Sequence, residues 1–131
     1  MSELIDEIKE WIEKADHDLG SAKIIYIYMP DYFDTIAFHC QQAVEKYLKA
    51  VLVFKKIEFK RSHDLIYLLE ILSRYIEIEE MKFRNAFILN NFSIQIRYPN
   101  KIIKLSKEEL ENAIQISEEF RIFSVNIVGL K

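Results

Sequence analysis

Residues 38–50 read FHCQQAVEKYLKA, and this stretch decides the fold. Its apolar residues recur at steps of three and four, which is the repeat of a helix with one buried face. The face continues through Phe33 and Phe54, so the pattern predicts a helix from Tyr32 to about Lys56. The apolar face is widened by Ile36, Ala43, Leu48, Ala50 and Leu52. A face of this width predicts a central helix that packs on more than one side.

Two further helices are predicted on either side of this stretch. The first begins near Ser2 or Glu3 and ends before Pro30, because proline removes a backbone donor and restricts the residue before it. The other is predicted to begin at Ser62, whose hydroxyl can cap free backbone N–H groups. Its predicted core positions are Leu65, Leu68, Leu69, Leu72 and Tyr75.

The last third of the chain predicts two more helices. One runs from about Glu79 to Asn90. Residues 92–98 then alternate apolar and polar, but a single strand has no partner, so we expect a frayed helix end or a surface loop closed by Pro99. Residues 106–109 form a capping box that opens the last helix. Five helices with short connections predict an all-α, single-domain, up-and-down bundle over residues 1–131.

The composition excludes several classes of protein. A chain of 131 residues, 50% apolar and 30% charged, suits one globular domain. Its two glycines, Gly20 and Gly129, stand too far apart for a glycine-rich phosphate loop or a dinucleotide fingerprint. No signal peptide or run of about 20 apolar residues is present, and a lone cysteine cannot form an internal disulfide. We therefore expect a cytoplasmic protein without membrane contact.

The sequence predicts neither a metal site nor another cofactor. A di-iron helical bundle needs paired Glu-x-x-His turns, and none of the three histidines has a glutamate three residues before it. Cys40 lies on the predicted buried face, and it cannot pair with the adjacent His39, because neighbouring helical residues point in different directions. We expect Cys40 to be a core residue.

Charge is distributed unevenly, although the net charge is only −3. Residues 1–18 hold seven acidic side chains and two lysines, whereas residues 55–61 hold four basic side chains and one glutamate. Residues 97–107 add four basic side chains and no acid. If these two basic loops meet at one end of the bundle, they would form an anion site. The alternative is that both are solvated loops.

Arg61 and His63 are the first candidate phosphate-binding residues. They stand at the predicted start of the third helix, where free N–H groups and the positive end of the helix dipole suit an anion. In the alternative interpretation, Ser62 and Asp64 satisfy those N–H groups and His63 only packs nearby.

A polar stripe on the central helix provides two more candidates, Lys46 and Lys49. Together with Gln42 they are spaced at i, i+4 and i+7, so they share one face and could line a groove. The same residues could instead form a solvated face that is stabilised by pairs such as Glu45 with Lys49.

Arg97 and Tyr98 are the last two candidates. They combine a bidentate phosphate donor with a ring that can stack on a base, which is the pairing expected at a nucleotide site. Arg97 could instead be a structural ion-pair partner of Asp18 or Glu45.

Residues 38–50 resemble the signature of HEPN domains, which are named as nucleotide-binding domains of higher eukaryotes and prokaryotes. Residues 61–65 resemble the family's start of helix three, and residues 97–99 resemble its late motif. The family's first-helix pattern is matched by Trp11, Ala15, Asp18, Leu19 and Ala22. The resemblance thus spans residues 11–99 in the family's order.

The resemblance implies a helical bundle that forms a homodimer beside a minimal nucleotidyltransferase. It also implies nucleotide binding, a toxin–antitoxin pair or RNA cleavage. Family members that cleave RNA carry an arginine followed, after four to six residues, by a histidine. No arginine of this chain has a histidine at that distance; after Arg97 the positions hold Ile102, Ile103 and Lys104.

We therefore expect a noncatalytic domain that binds a nucleotide or an RNA phosphate and acts with a nucleotidyltransferase. One alternative is a ribonuclease that uses Arg97 together with His63 across the fold. Another is a helical dimer that only holds a partner protein, which exposed aromatic side chains would permit. The aromatic residues considered for that role are Trp11, Phe54, Phe59 and Phe123.

Overall fold

A computed structural model describes residues 2–95 and 104–129 of the chain. It contains five helices, namely α1 (Ser2–Tyr28), α2 (Phe33–Phe54), α3 (Leu65–Ser73), α4 (Glu80–Gln95) and α5 (Lys107–Val128). These two described ranges contain no β-strand. The predicted all-α, five-helix architecture is confirmed.

Helix α2 is the centre of the bundle and contacts each of the other four helices. Its side chains Ile36, Val44, Leu48 and Leu52 are completely buried, and burial of one such side chain stabilises the fold by about 1.5 to 3 kcal/mol. The predicted central position is therefore confirmed. Phe54, which was expected on the buried face, is partly exposed because it is the last residue of the helix.

The start of α3 differs from the prediction. Asp64, and not Ser62, is the capping residue: its carboxylate accepts a hydrogen bond from the backbone N–H of Ile66 at 3.0 Å. The Ser62 hydroxyl accepts from the backbone N–H of Asp64 at 3.1 Å and so stabilises the preceding turn. Tyr75, predicted as a core residue, is exposed because α3 already ends at Ser73.

Helix α4 extends to Gln95, beyond the predicted end at Asn90. The buried Phe92 ring explains the additional turn, because continuing the helix brings this ring into the core. The first part of the alternating segment is therefore helical. Helix α5 begins as predicted: the Ser106 and Glu109 side chains each bind the other's backbone N–H. None of the described helices is long and apolar enough to cross a membrane.

Polar contacts also join three helices at the edge of the core. The Tyr47 hydroxyl of α2 donates to the Asp16 carboxylate of α1, which also accepts from the Arg121 guanidinium of α5 at 2.9 Å. The pKa of the Tyr47 hydroxyl is raised, mainly by its burial and to a lesser extent by this hydrogen bond to Asp16. The Ser124 hydroxyl of α5 donates to the Tyr47 carbonyl at 2.9 Å. These bonds fix the rotation of α1 and α5 about α2.

Candidate functional site

A buried carboxylate, Glu45, organises the first polar cluster. Its side chain is 4% exposed and accepts from the Lys49 ammonium and from His63 Nδ1, both at 2.9 Å. Gln42 donates a longer bond of 3.4 Å to the same carboxylate. The amide of Gln41 donates to the backbone carbonyl of His63 at 2.6 Å. Helix α2 therefore holds both the ring and the backbone of His63.

Asp18 of α1 organises a second cluster of the same composition. It accepts from His39 Nδ1 at 2.8 Å and from the Lys46 ammonium, and both partners belong to α2. The Asp18 side chain is largely buried, whereas His39 and Lys46 retain part of their exposure. Each cluster thus consists of one carboxylate, one imidazole and one ammonium group.

The two clusters lie on the same side of α2. Gln42 and Glu45 share a helical stripe, and Lys46 follows Glu45 directly. Gln42 also donates to the Gln41 side chain at 2.9 Å, so amide groups continue the polar surface between the clusters. We refer to the surface formed by residues 18, 39, 42, 45, 46, 49 and 63 as the polar face.

His63 is the most accessible member of the polar face. Its side chain is 70% exposed although Nδ1 binds the buried Glu45 carboxylate. Because a carboxylate can only accept, Nδ1 carries the proton, and the opposite ring edge with Nε2 faces the solvent side. Arg61, two residues earlier, is exposed. An imidazole and a guanidinium, two positions apart in the same loop, are thus both exposed.

The start of α3 offers an anion fewer donors than expected. Asp64 accepts from the N–H of Ile66, and the Asn90 side chain accepts from the N–H of Leu65 at 3.2 Å. The negative charge of the Asp64 carboxylate at this position would also repel a phosphate. Capping side chains thus satisfy these N–H groups, as one part of the alternative interpretation expects, with Asn90 in addition to Ser62 and Asp64.

Lys46 and Lys49 both belong to the polar face, but neither is a freely solvated side chain. Lys49 is 8% exposed; its ammonium binds Glu45 and lies 5.4 Å from the centre of the Trp11 ring. The predicted pair of Glu45 with Lys49 is present, yet it is buried and not on a solvated face as that interpretation expected. Lys46 is one-fifth exposed and binds Asp18.

The described basic residues of the two loops do not all gather at one end. Lys55 follows the C-terminal end of α2. Lys104 and Lys107 instead line a cleft at the N-terminal end of α2, beside the turn that connects it to α1. The loop after α2 runs back along that helix, so His63 lies beside Glu45. Arg97 and Tyr98 lie outside the described residues.

Asp18 and His39 are the site residues that sequence reasoning missed. From the sequence alone, His39 stands out only as the neighbour of Cys40, and Asp18 only within the first-helix pattern and as an alternative ion-pair partner of Arg97. Their contact joins residues 21 positions apart, and no local spacing predicts it. If the first two predicted helices are paired as antiparallel neighbours about the predicted turn at Pro30, Asp18 and His39 come to lie near each other. Across the described ranges, no group of three metal-ligating side chains is present.

Several crystal structures resemble this fold, among them the following three. A protein from Thermus thermophilus has a TM-score of 0.80 and 22% identity, with 92% of this chain and 97% of that chain covered. An archaeal HEPN homologue has a TM-score of 0.72 and 21% identity, with the same coverage. An HEPN domain protein from Thermotoga maritima has a TM-score of 0.74 and 20% identity, with 93% and 99% covered. These similarities confirm the bundle architecture.

Comparison of the sequence with family models gives a direct assignment. The HEPN domain model matches residues 8–128, and all five described helices lie at least largely within that range. No curated protein matches the sequence. Since the family match covers most of the chain, the resemblance found in residues 38–50 extends through α5. The chain belongs to the HEPN domain family.

Proposed function

We propose that this HEPN domain binds the phosphate of a nucleotide or an RNA and does not cleave it. The observation that supports this proposal is the presentation of His63. A buried carboxylate and a glutamine amide hold the residue from behind, while its ring remains 70% exposed beside Arg61. The Glu45 contact fixes the exposed ring, and the Gln41 contact fixes the backbone that carries it.

The chemistry of this position suits a phosphate. The Arg61 guanidinium can donate two parallel hydrogen bonds to phosphate oxygens, and the His63 ring can donate a third when it is protonated. Lys46 and Lys49 act behind them, because each offsets the charge of one carboxylate that would otherwise repel the ligand. Arg97 and Tyr98 complete the proposed site, as a further phosphate donor and a base-stacking ring.

The proposed setting is cytoplasmic, and the proposed partner is a minimal nucleotidyltransferase in a toxin–antitoxin-like module. The family resemblance of residues 38–50 supports this partner. Tagged protein purified from its own cells should retain a nucleotidyltransferase that mass spectrometry identifies. Recovery of the chain alone, or only with copies of itself, would contradict the proposed partner and would favour a helical dimer without this role.

Thermal unfolding with and without ligands tests the binding proposal. A ligand at about 100 times its dissociation constant stabilises the fold by about 2.7 kcal/mol, which raises the melting temperature of a domain of this size by several degrees. We expect such a shift with a nucleotide or a short RNA, and we expect Arg61→Ala to lose it. Arg74→Ala, which removes an exposed arginine at the end of α3, is the matched control. No shift with any ligand would overturn the proposal.

A ribonuclease is the second candidate function, and the hydrogen bond between His63 and Glu45 favours it. A carboxylate that orients an imidazole is a common arrangement for general acid–base catalysis. Incubation of purified protein with RNA separates the two functions. Cleavage that persists through purification and disappears in both His63→Gln and Arg97→Ala would overturn the noncatalytic proposal. Intact RNA under conditions where binding is observed would support it.

A further inference from the structure

A large cleft lies between the turn that joins α1 to α2 and the start of α5. Its volume is about 910 Å³, within the range of about 300 to 1,000 Å³ that is typical of small-ligand sites. Leu105 and Leu110 are buried, whereas Ile27 is 68% exposed, so the apolar lining extends from the core to the surface. The apolar and aromatic residues that line the cleft are Tyr26, Ile27, Pro30, Phe33, Leu105 and Leu110.

The neutral polar side chains of the cleft are already engaged within the protein. The Tyr26 hydroxyl donates to the Glu111 carboxylate, and the Ser106 hydroxyl accepts from the backbone N–H of Glu109 at 3.1 Å. A sugar or a nucleobase would lose its hydrogen bonds with water in this cleft and would find few replacements. The body of a ligand that fits the cleft is therefore apolar.

The charged side chains of the cleft define the other end of such a ligand. Lys104 and Lys107 are exposed, and neither forms an ion pair with a carboxylate of the described residues. Asp31 also lines the cleft, so two lysines stand against one aspartate and the lining has a net charge of +1. This charge matches a carboxylate, which carries one negative charge at neutral pH, better than a phosphate monoester, which carries nearly two.

We propose that this cleft binds an amphipathic carboxylate, whose apolar chain packs against Phe33 and Leu110 and whose carboxylate accepts from Lys104 and Lys107. The described lining of the cleft shares no residue with the polar face and does not include Arg61. The proposed carboxylate site is therefore independent of the proposed phosphate binding, and either can fail without the other.

Calorimetry with decanoate as the probe tests the carboxylate site. We expect saturable binding of one decanoate per chain at concentrations at which the ligand is monomeric. Octanoate should bind about tenfold more weakly, because two fewer methylene groups leave water. Decylamine has the same chain with a positive charge at neutral pH, so it should bind more weakly than decanoate.

A charge-reversal variant tests the role of the two lysines. The double variant Lys104→Glu, Lys107→Glu should weaken decanoate binding by about tenfold and strengthen decylamine binding. The matched control is the double variant Lys9→Glu, Lys55→Glu, which changes the net charge equally at two exposed lysines outside the cleft and should leave both affinities unchanged. Equal melting temperatures of the two double variants show that both are folded.

Three results would overturn the carboxylate site. One is that decanoate does not bind. Another is that decylamine binds as tightly as decanoate, which would show that the chain only adheres to exposed apolar surface. The third is that decanoate binding weakens as the protein concentration rises, which would show that a second copy of the chain occupies the cleft.

Discussion

Glu45 is the residue on which the polar face depends most directly. Placing a carboxylate at 4% exposure costs several kcal/mol in lost hydration, which is recovered only if donors surround it. Lys49, His63 and Gln42 provide those donors from three directions. Lys49 in turn lies over the Trp11 ring, which shields the pair from water. The cluster thus combines a structural role with the orientation of an exposed histidine.

Glu45→Gln should therefore destabilise the protein although it changes the side chain very little. The variant keeps the shape of the residue but leaves the Lys49 ammonium buried without a countercharge, which should cost about 3 to 5 kcal/mol. Urea unfolding measures this difference. Glu80→Gln is the matched control, because Glu80 binds Arg84 with the same i,i+4 spacing on the exposed surface, and it should cost at most about 0.5 kcal/mol. Equal losses would show that the burial of the pair is unimportant.

Cys40 provides a pH-dependent prediction at the same scale. Burial raises the pKa of its thiol from 9.0 to about 12. The folded state thus keeps the proton that the unfolded state releases, so the thiol's contribution to stability is complete below pH 9 and is lost as the pH rises toward 12. Between pH 8 and pH 10.5, the wild type should lose about 2 kcal/mol more stability than Cys40→Ala.

Urea unfolding of both proteins at the two pH values measures this difference. Because other groups that titrate in this range are common to both proteins, their contributions cancel in the comparison. Parallel losses of stability in the wild type and the variant would contradict the predicted role of the thiol.

The start of α3 carries a prediction at the scale of a helix. Asp64 caps the helix and also accepts from the Asn90 amide at 2.7 Å, which ties α3 to α4. Asp64→Ala should cost about 1 to 2 kcal/mol in the free energy of unfolding, whereas Ser62→Ala should cost about 0.5 kcal/mol. Chemical denaturation of the two variants makes the comparison. A larger loss of stability in Ser62→Ala than in Asp64→Ala would show that Ser62 is the main capping residue, as the sequence predicts.

The helices themselves were predictable because their signals are local. The apolar spacing of α2 and the capping box of α5 depend on neighbours within one or two turns, and both predictions are confirmed. The cap of α3 was predicted wrongly because Ser62 and Asp64 are both suitable capping residues by type. The choice between them depends on Asn90, which lies 26 residues from Asp64 in the sequence.

The polar face was only half predictable for the same reason. The pair of Glu45 and Lys49 follows from the i,i+4 spacing, but its burial depends on the Trp11 ring of another helix. The contact of Asp18 with His39 and Lys46 joins α1 to α2 and exists only once the helices pack. Sequence spacing identifies which side chains share a helix face, whereas packing decides which of them lose their water.

At the scale of the whole molecule, the aromatic residues considered for a partner interface mostly serve the core. Trp11, Phe59 and Phe123 pack against the core, and only Phe54 is exposed. Other apolar side chains are more exposed: Ile24, Ile27 and Tyr28 lie on the outside of α1, near its C-terminal end. They are spaced at i, i+3 and i+4, so they are neighbours on one helix surface. We propose that this surface forms the interface of the homodimer that the family resemblance implies.

The proposed homodimer predicts a mass that depends on this surface of α1. Light scattering after gel filtration should give twice the 15.7 kDa of the chain for the wild type, because a twofold interface buries the same apolar residues of both copies. The double variant Ile24→Glu, Tyr28→Glu should be a monomer, because the two added carboxylates of one copy would lie against those of the other copy across the twofold axis. Met81→Glu, at a similarly exposed residue near the start of α4, should leave the dimer intact. A monomeric wild type, or dissociation in Met81→Glu as well, would show that α1 does not form the interface.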